Sequence, residues 1–341
     1  MKLNELNPKI EDLKKLAKKK KKKRVFLIST TIKEFKGEFY YMPQRESVKS
    51  IFCGVVVNSN GVTKKISKII DGKIDYIFVD IEKKIQNRND KLVNIERVVK
   101  QKIQKTIIKN FKPNDITVDA VVNFIQDFFR KDVRGVGGKK ILVAGAGNIG
   151  SKISLKLLES GSNIYLLRRN WNKLNSIVKA LNIIKPQSTK SSCYPIKKKS
   201  LNVSNYDVVV GCSNNTINFE TILNKKNLPL FVDVGKNVFG EKNREELSNL
   251  NHKIFRVDIE TTLGSFIDAN IETEKFFNTK LYKNFKGINL VKNGVLGKEG
   301  DILVDDVEKP KKIIGIIQDD GTILTGNSKR MEKLKSKILN L

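Results

Sequence analysis

The chain has 341 residues, 39% of them apolar, enough for two domains that each bury a core, and no apolar run approaches the ~20 residues of a membrane span. Three cysteines, Cys53, Cys193 and Cys212, without C-x-x-C spacing, and one histidine, His252, exclude a disulfide framework, a zinc centre and a His-based triad. Lysine and arginine number 66 against 36 Asp and Glu, a net charge of +30, so nucleic-acid binding has to be weighed, while the lack of an apolar stretch after the charged N-terminus leaves a cytoplasmic protein as the expectation.

The densest positive block runs through Lys14, Lys15 and Lys18 to Arg24, with only Leu13, Leu16 and Ala17 beside it. A run of like charges is ordinarily solvated, so residues 1–24 are expected to form a basic tail. Aromatic residues are not interleaved with it as a base-stacking platform requires. Salt-sensitive attraction to polyanions is expected, and no specific nucleic-acid partner.

Residues 25–134 read as an N-terminal α/β substrate domain. Strands are predicted over Val25–Ser29, Ile51–Val57, Tyr76–Asp80 and Thr106–Asn110, with helices over Lys65–Ile70 and Leu92–Lys102. A long helix opens near Asp115 and runs to Arg130, and the glycine-rich stretch Arg134–Gly138 marks the boundary.

Residues 135–260 carry the most specific pattern in the chain. Ile141–Ala144 is a short apolar strand, followed at once by Gly145-Ala146-Gly147-Asn148-Ile149-Gly150, a helix bearing Ile153, Leu157 and Leu158, and a second strand, Asn163–Leu167. In such a βαβ unit the first glycine allows a tight turn, the second lets a pyrophosphate approach the backbone, and the third lets the helix pack closely on the strand. Where an NAD site usually places a carboxylate for the ribose 2′-hydroxyl, this chain has Arg168-Arg169-Asn170, with Lys173 a turn later. Two guanidiniums suit a 2′-phosphate, so NADP is the expected cofactor, with NAD as the alternative.

The doubly wound rhythm continues. A helix through Leu174, Ile177, Val178 and Leu181 leads to a Lys/Ser-rich connector over Pro186–Ser200 and the strand Tyr206–Gly211. The loop Cys212–Thr216, a short helix over Ile217–Leu223, the strand Leu230–Lys236 and another at Ile254–Asp258 follow. Cys212, Ser213, Val234 and Gly235 stand at the carboxyl ends of these strands and are expected beside the cofactor. Residues 261–341 read as C-terminal strands, Ile302–Val304, Ile313–Ile317 and Ile323–Leu324, with a turn at Asp319–Thr322 and a closing helix over Lys329–Leu339. The fold class is α/β: a Rossmann-type doubly wound parallel sheet plus a separate N-terminal α/β domain.

From Thr117 to Asn237, through Gly138–Gly147, Arg168-Arg169-Asn170, Asp207–Val210 and Val232–Gly235, the chain resembles the cofactor domain of shikimate dehydrogenases. Glutamyl-tRNA reductases, methylene-tetrahydrofolate dehydrogenases and amino-acid dehydrogenases share that layout. The resemblance implies a substrate cleft between two domains and hydride transfer as the activity. The Asn-Val-Thr-x-Pro-x-Lys element of shikimate dehydrogenases does not occur, and Ser29-Thr30-Thr31 stands where glutamyl-tRNA reductases carry a nucleophilic cysteine, which excludes thioester chemistry.

Hydride transfer at a carbonyl or imine needs a proton donor or acceptor, often Lys or Asp. Lys33, just after the first strand, and Asp115, at the turn before the long helix, are the catalytic candidates; Asp80 and Lys83, after the third strand, could also face a cleft, and Asn114 and Asp119 could position substrate. The expected partners are a small, polar, anionic metabolite and, at most, a second copy of the chain as a homodimer. The competing reading is a dinucleotide-binding sensor or regulatory protein without catalysis.

Overall fold

The computed structural model describes residues 3–31, 35–83, 93–197, 202–217 and 228–326, together with 334 and 336–338. It separates into two compact units, Met1–Asp268 and Ala269–Leu341. The larger unit holds two sheets.

The first sheet is built from β1 (Lys23–Thr30), β2 (Phe39–Glu46), β3 (Ser50–Val57), β4 (Tyr76–Asp80) and β5 (Ile107–Phe111), in the order β2-β3-β1-β4-β5. All neighbours are parallel except the edge strand β2. Every residue of β3 and β4 is buried, as a parallel sheet covered on both faces requires. Helices α1 (Leu6–Lys20), α2 (Asn60–Ile70) and α3 (Ile95–Lys102) belong to this region.

The expected basic tail is instead helix α1. Leu6, Ile10, Leu13 and Ala17 recur at helical spacing, are at most 1% exposed, and pack into the same core as Phe26, Ile51 and Ile77. The lysines occupy the remaining faces, and Lys20 and Lys22 pair with Glu46 on β2. Lys21 adopts a left-handed conformation and its N–H closes the helix on the Ala17 and Lys18 carbonyls.

Helix α4 (Pro113–Phe128) overturns the boundary drawn at the glycines. Its residues Val118, Ala120, Val121, Val122 and Ile125 lie in the core of the second sheet, and it packs on α5 (Asn148–Glu159). The chain therefore crosses from one sheet to the other before α4.

The second sheet consists of β6 (Lys140–Ala144), β7 (Asn163–Leu167), β8 (Cys193–Ile196), β9 (Val208–Gly211), β10 (Leu230–Asp233) and β11 (Ile254–Arg256), with α6 (Trp171–Ile184) and α7 (Glu241–Asn249) among its connections. All six strands are parallel in the order β11-β10-β9-β6-β7-β8. The order reverses between β6 and β9, so the switch point lies directly above the glycine turn. Strand β8 replaces part of the expected connector, pairing Ile164 with Cys193 and Leu167 with Ile196. Of the helix expected over 217–223, residues 218–223 lie outside the described residues.

Helix α8 (Glu260–Phe277), not anticipated from sequence, carries the chain back to the first sheet. Arg45 pairs with Glu260 at 2.8 Å, Asp268 accepts Ser47 Oγ at 2.7 Å, and the Phe266 ring lies 6.2 Å from that of Phe78. Thr262 Oγ1 donates to the Ile116 carbonyl of α4 at 3.0 Å. In the smaller unit, β12 (Tyr282–Phe285), β13 (Ile288–Lys292), β14 (Ile302–Val304), β15 (Ile313–Ile317) and β16 (Ile323–Leu324) form one sheet in sequence order around Leu290, Ile302, Val304 and Ile316. The expected turn joins β15 to β16, with Gln318 N–H donating to the Thr322 carbonyl at 2.9 Å. Most of the expected closing helix lies outside the described residues.

Candidate dinucleotide site

At the end of β6 the chain turns sharply at Gly145, whose φ of +120° suits glycine alone. A Cβ there would lie 2.7 Å from the Cys212 carbonyl carbon and the Ser213 nitrogen. One at Gly150 would overlap the Gly145 carbonyl oxygen, whereas one at Gly147 would meet nothing within 4 Å. The first and third glycines thus let chain segments touch, and the second leaves a flank open. Gly147 is the N-cap of α5, and no described side chain caps that helix. The first N–H groups of α5 have no intrahelical acceptor, and the helix dipole adds partial positive charge to them. That arrangement suits an anion.

The segment after β7 borders the same turn. The Arg168 guanidinium donates to the Ala146 carbonyl, Arg169 is exposed, and Asn170 accepts the Lys173 N–H at 2.9 Å as the N-cap of α6. Asn170 therefore has a structural duty of its own. Lys197, just past β8, lies 5.1 Å above the Trp171 ring. No Asp or Glu occurs between Glu159 and Asp207, so neither β7 nor the segment after it supplies a carboxylate.

The ends of β9 and β10 complete the rim. Cys212 N–H donates to the Ala144 carbonyl at 2.8 Å, and both Val234 and Gly235 donate to the Gly211 carbonyl, at 2.9 and 3.0 Å. Burial, with Asp233 nearby, pushes the Cys212 thiol up to about 12, so it stays protonated and serves as packing. A Cβ on Gly235 would overlap the Ser213 carbonyl oxygen. Asp233, 8% exposed, accepts N–H groups from Asn237 at 2.7 Å and Val238 at 3.3 Å. Between them Lys236 and Asn237 are both left-handed, with φ of 64° and 65°. Sequence reasoning missed this turn: Asn237 belongs to a residue type that tolerates positive φ, but Lys236 carries no such signal.

These loops meet at the switch point of a six-stranded parallel sheet in the doubly wound order. This is a Rossmann-type domain.

Of the two catalytic candidates, Asp115 follows the carboxyl end of β5. Lys33 lies outside the described residues. Asp115, in the first turn of α4, pairs with Lys152 of α5, and one turn on Asp119 pairs with Lys156 at 2.5 Å. Asp80 is 1% exposed and accepts Ser29 Oγ at 2.8 Å, Thr30 N–H at 3.2 Å and Glu82 N–H at 2.9 Å, which ties the ends of β1 and β4 together. Lys83 binds Asn94 and Glu96, at 3.0 and 3.1 Å, and the Asn114 N–H donates to Glu82 at 3.4 Å. His252 contacts the Pro229 carbonyl at 2.7 Å and lines a cavity of about 760 Å³ with Phe128, Phe129 and Lys140, at the amino edge of the second sheet, opposite the glycine turn.

No family model matches the chain. No curated protein matches it by sequence. Among solved structures it is similar to the A chain of dipicolinate synthase from Bacillus subtilis, with 16% identity, 74% of this chain and 77% of that one covered, and a TM-score of 0.37. L-tryptophan dehydrogenase from Nostoc punctiforme gives 16% identity over 67% of this chain and 66% of its own, at a TM-score of 0.39. A shikimate dehydrogenase in complex with NADP+ gives 14% identity over 72% and 88%, at 0.40. At these TM-scores the likeness adds nothing to the site, and the fold assignment rests on strand order and the glycine turn. Among the described residues no helix is long and apolar enough to cross a membrane, and no group of three or more His, Cys, Asp and Glu could hold a metal ion.

Proposed function

We propose that the chain is an NADP-dependent oxidoreductase that transfers a hydride to or from the carbonyl or imine carbon of a small, polar, anionic metabolite. The observation that carries this reading is the contrast within the glycine turn: Gly145 and Gly150 are closed by their neighbours while the flank of Gly147 is open beside an uncapped helix. In this reading the turn from Gly145 to Gly150, with the N–H groups of Asn148, Ile149 and Gly150, holds the pyrophosphate. Arg168 and Arg169 hold the 2′-phosphate, and Asn170 fixes the start of α6 beside them. The absence of any carboxylate between Glu159 and Asp207 supports NADP over NAD. Cys212, Ser213, Val234 and Gly235 flank the nicotinamide half, which supplies or accepts the hydride when bound.

Hydride transfer leaves a proton to be delivered or removed, and Asp115 and Lys33 are assigned to it. Asp115 follows the carboxyl end of β5 and pairs with Lys152 near the start of α5, beside the glycine turn, which supports this assignment. The surplus of lysine favours an anionic substrate.

Titration of NADPH and NADH by nicotinamide fluorescence tests the cofactor half of the proposal. NADPH is expected to bind more tightly, equal affinities would reject the 2′-phosphate assignment, and no binding would reject the site. Turnover across oxo acids, amino acids and imines tests the rest. Binding without turnover would favour a sensor.

A further inference from the structure

We propose that Asp233 is a positioning residue for the nicotinamide half of the cofactor, acting by holding the Lys236–Asn237 turn in a left-handed conformation. The inference rests on the dinucleotide reading above. Two adjacent non-glycine residues with positive φ are uncommon, because the Cβ approaches the following carbonyl. Glycine would form the same turn without strain. The chain uses glycine one residue earlier, at Gly235, where the Ser213 carbonyl leaves no room for a side chain, and not at 236 or 237. Lys236 and Asn237 are both exposed, so core packing does not require their side chains.

What keeps the turn in place is visible on both sides of it. Upstream, Gly235 is pressed on the loop after β9, and its N–H donates to the Gly211 carbonyl at 3.0 Å. Downstream, Val238 and Phe239 are each 1% exposed, and Phe239 packs edge-on to Phe231 with ring centroids 5.5 Å apart. Across the turn, the buried Asp233 carboxylate accepts the Asn237 and Val238 N–H groups, bonds that an ionised acceptor makes stronger than neutral ones. A backbone held in this state by a buried carboxylate, at the rim of a ligand site, is an arrangement in which strain serves a function.

Position decides which part of the ligand it serves. The arginines after β7 place the adenosine half on that side of the switch point. A dinucleotide lying across the glycine turn then extends its other half toward the ends of β9 and β10, where the turn stands. The turn would fix the orientation of the ring rather than the affinity for the adenosine phosphates.

The test compares NADPH with 2′,5′-ADP, which keeps the adenosine half and lacks the nicotinamide. Asp233→Ala is expected to weaken NADPH about tenfold while 2′,5′-ADP binds within about twofold of the parent, because the two hydrogen bonds lost hold a turn that faces only one half of the ligand. Asp233→Asn, which keeps the size and one acceptor oxygen, should show the same selectivity more weakly and covers the case in which Asp233→Ala does not fold. Adding Lys236→Gly and Asn237→Gly to Asp233→Asn should recover part of the NADPH affinity, since glycine needs no carboxylate to remain left-handed. Equal effects on both ligands, or no effect on either, would overturn the inference. If the parent protein bound neither ligand, the dinucleotide reading itself would fall, and this inference with it.

Discussion

Replacing Gly147 by Ser separates the two jobs that glycine does in the turn. Gly147 is extended, with φ of −97° and ψ of −162°, which any residue adopts, and a Cβ there meets nothing within 4 Å. Serine is also a preferred N-cap and outranks glycine there by a few tenths of a kcal/mol. The folded chain should therefore be as stable as the parent or slightly more so. The same side chain fills the flank where a pyrophosphate must approach, and NADPH affinity should fall at least tenfold, about 1.4 kcal/mol. Gly150→Ala should behave in the opposite way. Its Cβ overlaps the Gly145 carbonyl oxygen and lies 3.3 Å from Cys212 Cβ, and a backbone atom cannot rotate aside, so a loss of about 1–3 kcal/mol of stability or more is expected. Chemical denaturation and NADPH titration on both variants check the pair. A Gly147→Ser protein that bound NADPH like the parent would show that no phosphate occupies that flank, and the argument from the open glycine would be refuted.

Three further outcomes are expected. Ile10→Ala or Leu13→Ala, each truncating a side chain of α1 with no exposure, should cost about 2–5 kcal/mol in a urea melt, and removal of residues 1–20 should expose the first sheet to protease; an unchanged melt would return α1 to the status of a tail. Arg169→Ala should weaken NADPH with little effect on NADH, by about 1.5–3 kcal/mol, whereas Arg168→Ala should weaken both, because its guanidinium also holds the Ala146 carbonyl of the turn; parallel losses at Arg169 would count against a 2′-phosphate contact. Burial alone would raise the Asp75 carboxyl, but hydrogen bonds from the Arg24 side chain and backbone outweigh it and hold it below its ordinary value. A depressed folded-state value stabilises above the unfolded value near 3.9 and is lost as pH falls through the lower one, so Asp75→Asn should flatten the acid limb of stability against pH below about 4.

The glycine turn, its strand and its helix were legible because a buried parallel strand reads as a short apolar run and each glycine has a separate steric reason. Helix α1 was misread because eight lysines near its end outweighed the spacing of Leu6, Ile10, Leu13 and Ala17, which carries the fold. Strand β8 was taken for a connector because it is four residues long and contains Pro195. The helical pattern of α4 was plain, but periodicity says which face of a helix is apolar and not which sheet it covers. The hydrogen-bonded partner of Asp115 on α5, Lys152, is 37 residues away, and the left-handed pair at Lys236 and Asn237 depends on a carboxylate that the sequence shows only as the end of a strand.

The return of α8 to the first sheet has a consequence for biosynthesis. Leu263 and Ile267 are buried, and Phe266 reaches Phe78, so one face of a sheet whose strands all precede residue 112 is finished by residues after 260. During translation at about 5–20 residues per second, that face waits on the order of ten seconds or more for its cover. Until then its apolar strands are exposed to other nascent chains, and folding of the larger unit cannot be completed domain by domain from the N-terminus. Contacts this distant in sequence also slow folding in solution. Refolding yield should therefore fall with protein concentration, and a chain truncated before Glu260 should aggregate even though all of the second sheet is present.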